Sequence, residues 1–511
     1  MIKSGAETPA DLTREKRKAA KKYKIPCPSN RELLKAYHEL PLSKRSLKTE
    51  RLLRVRPVRS LSGIVNVSVL TKPYPCPGKC IFCPSQKNAP KSYLTNEPAV
   101  MRAVLNKYDP FKQTETRLKA LMEGGHPTDK VELRVIGGTW SYYPEKYRMW
   151  FIKRCFDACN GSSSKNLEKA QEKNEKAFHR ITGISVETRP DFINEKEIKS
   201  MRRLGITGVE LGVQSLCDSV LKINKRGHGV RETASATELL KNAGFKVCYQ
   251  MMPNLPGSSL KKDEKMFKDL FSDQRFRPDW LKIYPTAVLK KSLLEKWLEK
   301  GKYKVYTDRQ MKDVLKKIKK IVPYYVRIQR IVRDIPSGSI FAGPARISNL
   351  RQIIEREIKK EGWSCKCIRC REIKAGYSPS VKLFLFRMDY NASFGKEVFL
   401  TFEDKKRKNI YSLLRLRKQS KNPLLKVLED ASLIREIHTY GQLREISEKG
   451  KRESPQHKGL GKKLMKEAER ISKNEFKAKK IAVISGVGAR EYYRKLGYSI
   501  QETYMVKNFS S

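Results

Sequence analysis

Cys76-Pro-Gly-Lys-Cys80-Ile-Phe-Cys83 gathers three thiols in one short turn with C-x3-C-x2-C spacing. Three thiolates so placed can ligate three irons of a cubane and leave the fourth iron open to a small molecule, whereas four-cysteine clusters relay electrons. A structural zinc knuckle would need a fourth Cys or His close by. Apart from the triad itself, none stands between His38 and His126. The loop therefore demands a fold that can hold an iron–sulfur cluster at the mouth of a rigid frame.

The frame is legible around it. Apolar β-type runs recur at Ile64–Leu70, Val131–Ile136, Ile184–Val186, Gly208–Val213, Phe245–Met252, Trp280–Tyr284 and Tyr325–Ile331. Helical segments such as Glu115–Glu123, Glu195–Leu204 and Arg231–Ala243 lie between them. This alternation predicts an α/β fold with a parallel sheet, wound open or rolled into a barrel. Active sites of such sheets lie in the loops after the strands, and the cysteine turn follows the first strand.

The 511 residues suffice for two or three domains. We expect a basic leader (1–60), a strand–helix domain (61–345), a short connector with Cys365, Cys367 and Cys370 (346–374), and a C-terminal domain (375–511) of extended stretches followed by a helix and a strand pair. The leader carries 17 Lys or Arg against 6 acidic residues. Its helix, capped near Asp11, reads as a phosphate-contacting surface rather than core. The polar stretch from Ser162 to Lys176 is expected to be mobile.

A formal charge of +55 points to a polyanionic partner, nucleic acid first and an acidic membrane surface second. No run of eighteen apolar residues is present, so no membrane span is expected, and the charged N-terminus lacks a secretory h-region. Eleven cysteines, six of them in two tight clusters, suit a reducing, cytoplasmic setting. The other five (Cys27, Cys155, Cys159, Cys217, Cys248) read mostly as small core residues.

Further motifs surround the triad. The second strand runs into Gly137-Gly138-Thr139, where bare backbone can hold an amino-acid moiety. Glu187, Gln214 and Arg226, at or just beyond strand ends, suit a ribose and a carboxylate, although each alone could be an ordinary salt-bridged residue. Together with Phe82 before the last cysteine, these features resemble the radical S-adenosylmethionine superfamily. The resemblance implies a partial TIM-type barrel, a [4Fe-4S] cluster on Cys76, Cys80 and Cys83, and S-adenosylmethionine on its open iron as source of a 5′-deoxyadenosyl radical.

Near the C-terminus, Gln456-His-Lys-Gly459-Leu460-Gly461-Lys462 opens a helix whose free N–H groups can take a pyrophosphate. With Ala489-Arg-Glu-Tyr-Tyr493-Arg-Lys-Leu-Gly-Tyr498, this resembles the GNAT acyltransferases and implies acetyl-CoA. Over residues 50–511 the whole chain resembles the Elongator catalytic-subunit family, through Lys107-Tyr-Asp-Pro-Phe111, the Cys365–Cys370 cluster, Arg435-Glu-Ile-His-Thr-Tyr-Gly441 and Ile481–Gly488. That resemblance implies acetyl-CoA contacts from Glu436, Ile437, His438, Thr439, Leu460–Lys462, Tyr493 and Lys130. It also implies Zn2+ on the second cysteine cluster, without specifying a fourth ligand. Lys130, His438 and Tyr493 are the candidate catalytic side chains. The implied activity joins an acetyl-derived carboxymethyl precursor to C5 of a tRNA wobble uridine, with the anticodon stem-loop as partner. Further Elongator-like subunits or self-association remain open. The competing reading is a histone-type protein lysine acetyltransferase with a structural iron–sulfur domain. It predicts turnover without S-adenosylmethionine, and a non-catalytic RNA-binding scaffold predicts no acetyl-CoA turnover at all.

Overall fold

The computed structural model describes residues 6–57, 60, 62–290, 292–373, 381–419, 423–441 and 459–509. Seven parallel strands form the first sheet: β1 (Val65–Leu70), β2 (Lys130–Ile136), β3 (Arg180–Thr188), β4 (Gly208–Gln214), β5 (Lys246–Met251), β6 (Trp280–Ile283) and β8 (Arg327–Ile331), neighbours in that order. Between β6 and β8, β7 (Val288–Leu289) pairs with β9 (Ile340–Ala342) as a small ribbon. β1 and β8 are the two edges, so the barrel stays open.

Alternation within β1 and β2 separates a core face from a cavity face. Val131, Leu133 and Val135 of β2 are buried in the main core, while Glu132 and Arg134 line cavities on the opposite face. β1 divides in the same way between Val65, Val67 and Val69, and Asn66 and Ser68. In closed (β/α)8 barrels, layers of branched apolar side chains fill the interior. Here the inner face is polar, so the lumen remains a cavity.

The second sheet runs β10 (Phe384–Ala392), β11 (Gly395–Glu403), β12 (Ile410–Lys418), β13 (Ala431–Thr439), β14 (Lys480–Val483), β16 (Tyr504–Asn508), β15 (Ser499–Gln501). All its pairings are antiparallel except β13 with β14. That parallel pair is short. It spans Ala431–Ile434 against Lys480–Val483 and ends on the bond from Ile484 N–H to Ile434 O, 3.1 Å. Beyond it the two strands part, and Arg435–Thr439 keep a strand partner on the β12 side only, among the described residues. Helix Leu460–Arg470 connects the two and packs Leu464, Met465 and Ala468 on Val398, Leu414 and Ile434.

The sheets share one core, which runs from Val65 to Val506. Two glycines make the contact possible. A Cβ at Gly486 would collide with the Thr182 carbonyl, and one at Gly488 would lie 2.6 Å from Arg180 Cβ. At the same joint, Arg435 donates to Asp279 at 2.5 and 2.8 Å, to Glu397 at 3.0 Å and to Phe245 O at 2.8 Å.

Three expectations need correction. Part of the stretch 162–176 is the helix Leu167–Asn174. It is tied down by Asn174, which accepts from Ile181 N–H at 2.8 Å, and by Glu175, paired with Arg490 (2.9 Å) and Arg494 (2.5 Å) from the second sheet's domain. Those partners lie more than 300 residues away, beyond any local reading. The leader helix, Pro9–Tyr23, starts before Asp11. Thr8 is the cap, and Asp11 completes a capping box by accepting from Thr8 N–H. Although Leu12 alone is buried in that helix, it joins Leu34, Tyr37 and Leu53 in a small core of the leader's own. Cys27 is exposed rather than packed.

Candidate functional site

At the carboxyl end of the first sheet, one cavity of about 520 Å³ brings together Cys76, Cys80, Cys83, Gly138, Thr139, Glu187, Gln214 and Arg226. Thr71, just after β1, donates its N–H to Ile136 O (3.0 Å) and its hydroxyl to Gly137 O (2.9 Å), which holds the Gly-Gly turn beside the cysteine loop. Gly137 has φ +122°, and a Cβ there would strike the Thr71 hydroxyl. Glycine is obligatory at that point.

Glu187 accepts from Tyr93 Oη (2.7 Å), Gln250 (3.1 Å) and Lys282 (3.4 Å). Gln214 has a φ of +69°, and its buried Oε1 has no partner among the described residues. Arg226 donates to Gly212 O (2.5 Å) and to Cys80 Sγ (3.4 Å).

The donor set suits an iron–sulfur cluster. Burial and the neighbouring thiols push Cys83 up to about 11, so its ionisation calls for a cation at the sulfur. Gly78 N–H points at Cys76 Sγ (3.4 Å), Thr139 Oγ1 lies 3.7 Å from it, and Arg189 holds a buried Nη1 without a hydrogen-bond partner among the described residues beside the loop.

A second cavity, also about 520 Å³, occupies the lower lumen and reaches the opening in the second sheet. Glu436, Ile437, His438 and Tyr493 line it, with Glu132, Thr182, Lys246 and Gln329 from the barrel. Glu436 accepts from Arg415 Nε at 2.7 Å; burial opposes its charge, but Arg415 holds the carboxyl below the usual range. His438 Nε2 donates to Ser62 O at 2.9 Å, which leaves Nδ1 as its acceptor, and burial lowers its pKa to about 4. Burial raises the Tyr493 phenol above its ordinary value.

Gly459, at φ +66°, begins helix Leu460–Arg470, and among the described residues no side chain caps its first N–H groups. A Cβ at Gly461 would lie 3.1 Å from Tyr492 Oη and 3.6 Å from Thr439 Oγ1, which places the helix start against the free end of β13. Leu460 is buried and Lys462 exposed. Gln456 lies outside the described residues. Lys130 is half-buried at the opposite end of β2 from Gly137, in register with Arg180, and lines neither cavity.

The two cavities have Ser68, Arg102, Arg117 and Arg134 in common. Across this junction Glu210 pairs with Arg134 (2.5 Å) and with Lys282. Sequence reading passed over Tyr93, Arg134, Glu210, Gln250 and Lys282. A charged residue in an otherwise apolar strand, as Lys282 is in Trp280–Ile283, was the available signal.

Elsewhere, Cys365, Cys367 and Cys370 bring their sulfurs within 4.8 Å of one another, close enough to share one ion. Lys319 donates to Cys370 Sγ at 3.5 Å. Burial opposes a thiolate at Cys367, yet bonds from Cys365 and Cys370 hold it well below the ordinary thiol range.

Residues 74–270 match the Radical SAM superfamily, and 278–360 match the Radical_SAM C-terminal domain. A tRNA uridine(34) acetyltransferase of Methanocaldococcus infernus is 46% identical over 493 residues, covering 94% of this chain and 91% of that one. The human Elongator complex protein 3 is 37% identical, over 97% of this chain and 93% of its own. The solved structure of the archaeal M. infernus Elp3 with an N-terminus deletion superposes with a TM-score of 0.78 at 42% identity, covering 88% of this chain and all of that one. The half-barrel of parallel strands, its cysteine loop and these relatives together establish that the chain belongs to the Elongator complex protein 3/tRNA uridine(34) acetyltransferase family, within the radical SAM superfamily.

Proposed function

We propose that the chain is a tRNA wobble-uridine acetyltransferase that binds a [4Fe-4S] cluster and S-adenosylmethionine above the barrel and acetyl-CoA at the opening of a GNAT-type second domain. It would install a carboxymethyl precursor at C5 of the base. The observation that carries this reading is the lumen, where the two cavities share Ser68, Arg102, Arg117 and Arg134. An acyl group held at one end would face the chemistry at the other across these four shared residues.

Cys76, Cys80 and Cys83 would hold the cluster, with Gly138, Thr139, Glu187, Gln214 and Arg226 around the cofactor. When bound, the pair supplies one-electron hydrogen abstraction from an unactivated carbon. The free edge of Glu436–Thr439 offers backbone groups to a pantetheine arm, and the uncapped start at Gly459–Lys462 offers N–H donors to its pyrophosphate. His438, neutral at physiological pH, keeps Nδ1 open to accept a proton during thioester hydrolysis. Cys365, Cys367 and Cys370 would bind Zn2+ as a structural ion, with Lys319 offsetting the thiolate charge.

The excess of 55 positive charges supplies phosphate contacts for the anticodon stem-loop, whose bases can unstack into a cavity. Among the described residues no helix is long and apolar enough to cross a membrane, and a cytoplasmic setting fits a tRNA substrate. Assembly with further subunits or a second copy is compatible with the reading.

The test is nucleoside mass spectrometry on unmodified tRNA after anaerobic incubation with reconstituted protein, reductant, S-adenosylmethionine and acetyl-CoA. Carboxymethyluridine at the wobble position should appear, and omission of either small molecule should abolish it. Acetyl transfer to protein lysines without S-adenosylmethionine, and no new nucleoside, would favour the lysine acetyltransferase instead.

A further inference from the structure

Arg189 follows directly on β3 and is 4% exposed. Asp191, two residues on, accepts from Nε at 2.9 Å and from Nη2 at 2.7 Å, which fixes the guanidinium plane. The remaining fork, Nη1, is buried and has no hydrogen-bond partner among the described residues. An orphaned buried donor costs about 1–3 kcal/mol, more when charged, so its direction carries information. A Cβ placed on Gly78 would lie 2.5 Å from Nη1 and 3.6 Å from Sγ of both Cys76 and Cys80. The orphan donor and two of the three thiols thus converge on one point beside the Gly78 backbone. On another side of Cys80, Arg226 Nη1 already donates to Sγ at 3.4 Å.

We propose that Arg189 is a positioning and potential-setting residue for the iron–sulfur cluster, donating from Nη1 to a sulfur on its Cys76–Cys80 edge. The proposal rests on the reading of the triad as a cubane site. Reduction adds one electron, and one negative charge, to a cluster already bearing three thiolates. A fixed cation and an N–H donor at the sulfur stabilise the reduced form and raise the potential. Asp191 fixes the geometry and leaves the guanidinium its charge. The absence of a side chain at Gly78 is part of the same arrangement, since any Cβ there would displace Nη1.

The experiment is an EPR-monitored redox titration of the full chain after anaerobic reconstitution, with iron and sulfide content measured on each sample. Wild type, Arg189→Gln, Arg189→Lys and Asp191→Glu are compared. Arg189→Gln should keep its iron and shift the midpoint to more negative potential by at least a tenfold change in the reduction equilibrium, 59 mV for one electron. Arg189→Lys should recover part of the shift, because it restores charge without the fork, and Asp191→Glu, which keeps the carboxylate charge but moves the guanidinium, should give a smaller shift of the same sign. An unchanged midpoint in fully loaded Arg189→Gln overturns the proposal. Should that variant fail to load, an unchanged midpoint in loaded Asp191→Glu does so. Wild type that assembles no cluster from its three cysteines would instead overturn the cubane reading beneath it.

Discussion

Two buried charge networks, one in the joint between the sheets and one in the lumen, are built differently. In the joint between the sheets, Asp279, Glu397, Arg415, Arg417, Arg435 and Lys241 have side chains at most 1% exposed. In the lumen, Glu210 and Lys282 are nearly as buried, but Arg134 is 23% and Glu187 14% exposed, and all but Glu210 line the upper cavity. The acidic members of the first network line neither cavity, only its Arg435 reaches the lower one, and the network locks two sheets. The second lies where two cavities meet, so its charges are available to a ligand. A buried ion pair does little for stability on its own, but removing one partner is costly. The contrast therefore predicts large stability effects in the joint and functional effects in the lumen.

Asp279→Asn should be the most damaging change. It leaves Arg435 and Arg415 facing each other without their shared carboxylate, at a cost of about 3–5 kcal/mol, read by denaturant unfolding. A loss below about 1 kcal/mol would break the comparison.

Glu210→Gln should cost less stability, about 1–3 kcal/mol, yet reduce wobble-nucleoside formation about tenfold or more by releasing Arg134 and Lys282 at the junction. Arg134 and Lys282 outweigh the burial that opposes its charge and lower its pKa to about 2. The wild-type carboxylate thus contributes stability above pH 4.5 that fades as pH falls towards 2, and the variant should lack that slope. Equal stability loss with full activity would assign Glu210 to the wall alone.

Lys241 is the odd cation of the joint. Its Nζ has no hydrogen-bond partner among the described residues, and its nearest carboxylate oxygens stand 3.7 and 3.9 Å away. Burial first, aided by Arg435 and Arg417 against Asp279 and Glu397, lowers its pKa to about 8. The unfolded chain binds the extra proton between pH 8 and 10.5, so stability should rise with pH in that window. Lys241→Met should stabilise by about 1 kcal/mol at pH 7 and progressively less at higher pH, read as thermal midpoints. A destabilised variant would show that the ammonium holds the joint together.

The smallest effect on stability at neutral pH is expected at His438. Its folded pKa of about 4 lies below the unfolded value of 6.5, so the unfolded state binds more protons between them and stability falls as pH drops through that window. His438→Gln should remove this acid-side slope, about 3 kcal/mol across the window, while leaving stability at pH 7 within about 1 kcal/mol of wild type, with the Ser62 contact retained by the amide. A pH profile identical to wild type would place the proton elsewhere.

How much of this was legible follows the range of the forces. The strand positions of the first sheet, the cysteine loop after β1 and the glycine turn at Gly137–Gly138 were readable, because apolar β-type runs, cysteine spacing and backbone freedom are properties of neighbours. The same holds for Cys365–Cys370 and the Gly459 helix start. Thr8 was missed as a cap because Asp11 supplies an equally good local signal three residues later. The helix Leu167–Asn174 was missed because Arg490 and Arg494, its distant anchors, follow no period.

By itself, then, the sequence determined the half-barrel's strand pattern, the thiol chemistry of its first loop and the excess of positive charge. The tertiary structure alone decided that the lumen stays polar and open, that Gly486 and Gly488 let β3 meet the second sheet, and that Arg189 Nη1 and two thiols converge beside Gly78. The physical reason is that local pattern fixes which face a residue takes, whereas pairing of charges and meeting of cavities depend on distances set only when remote elements close-pack.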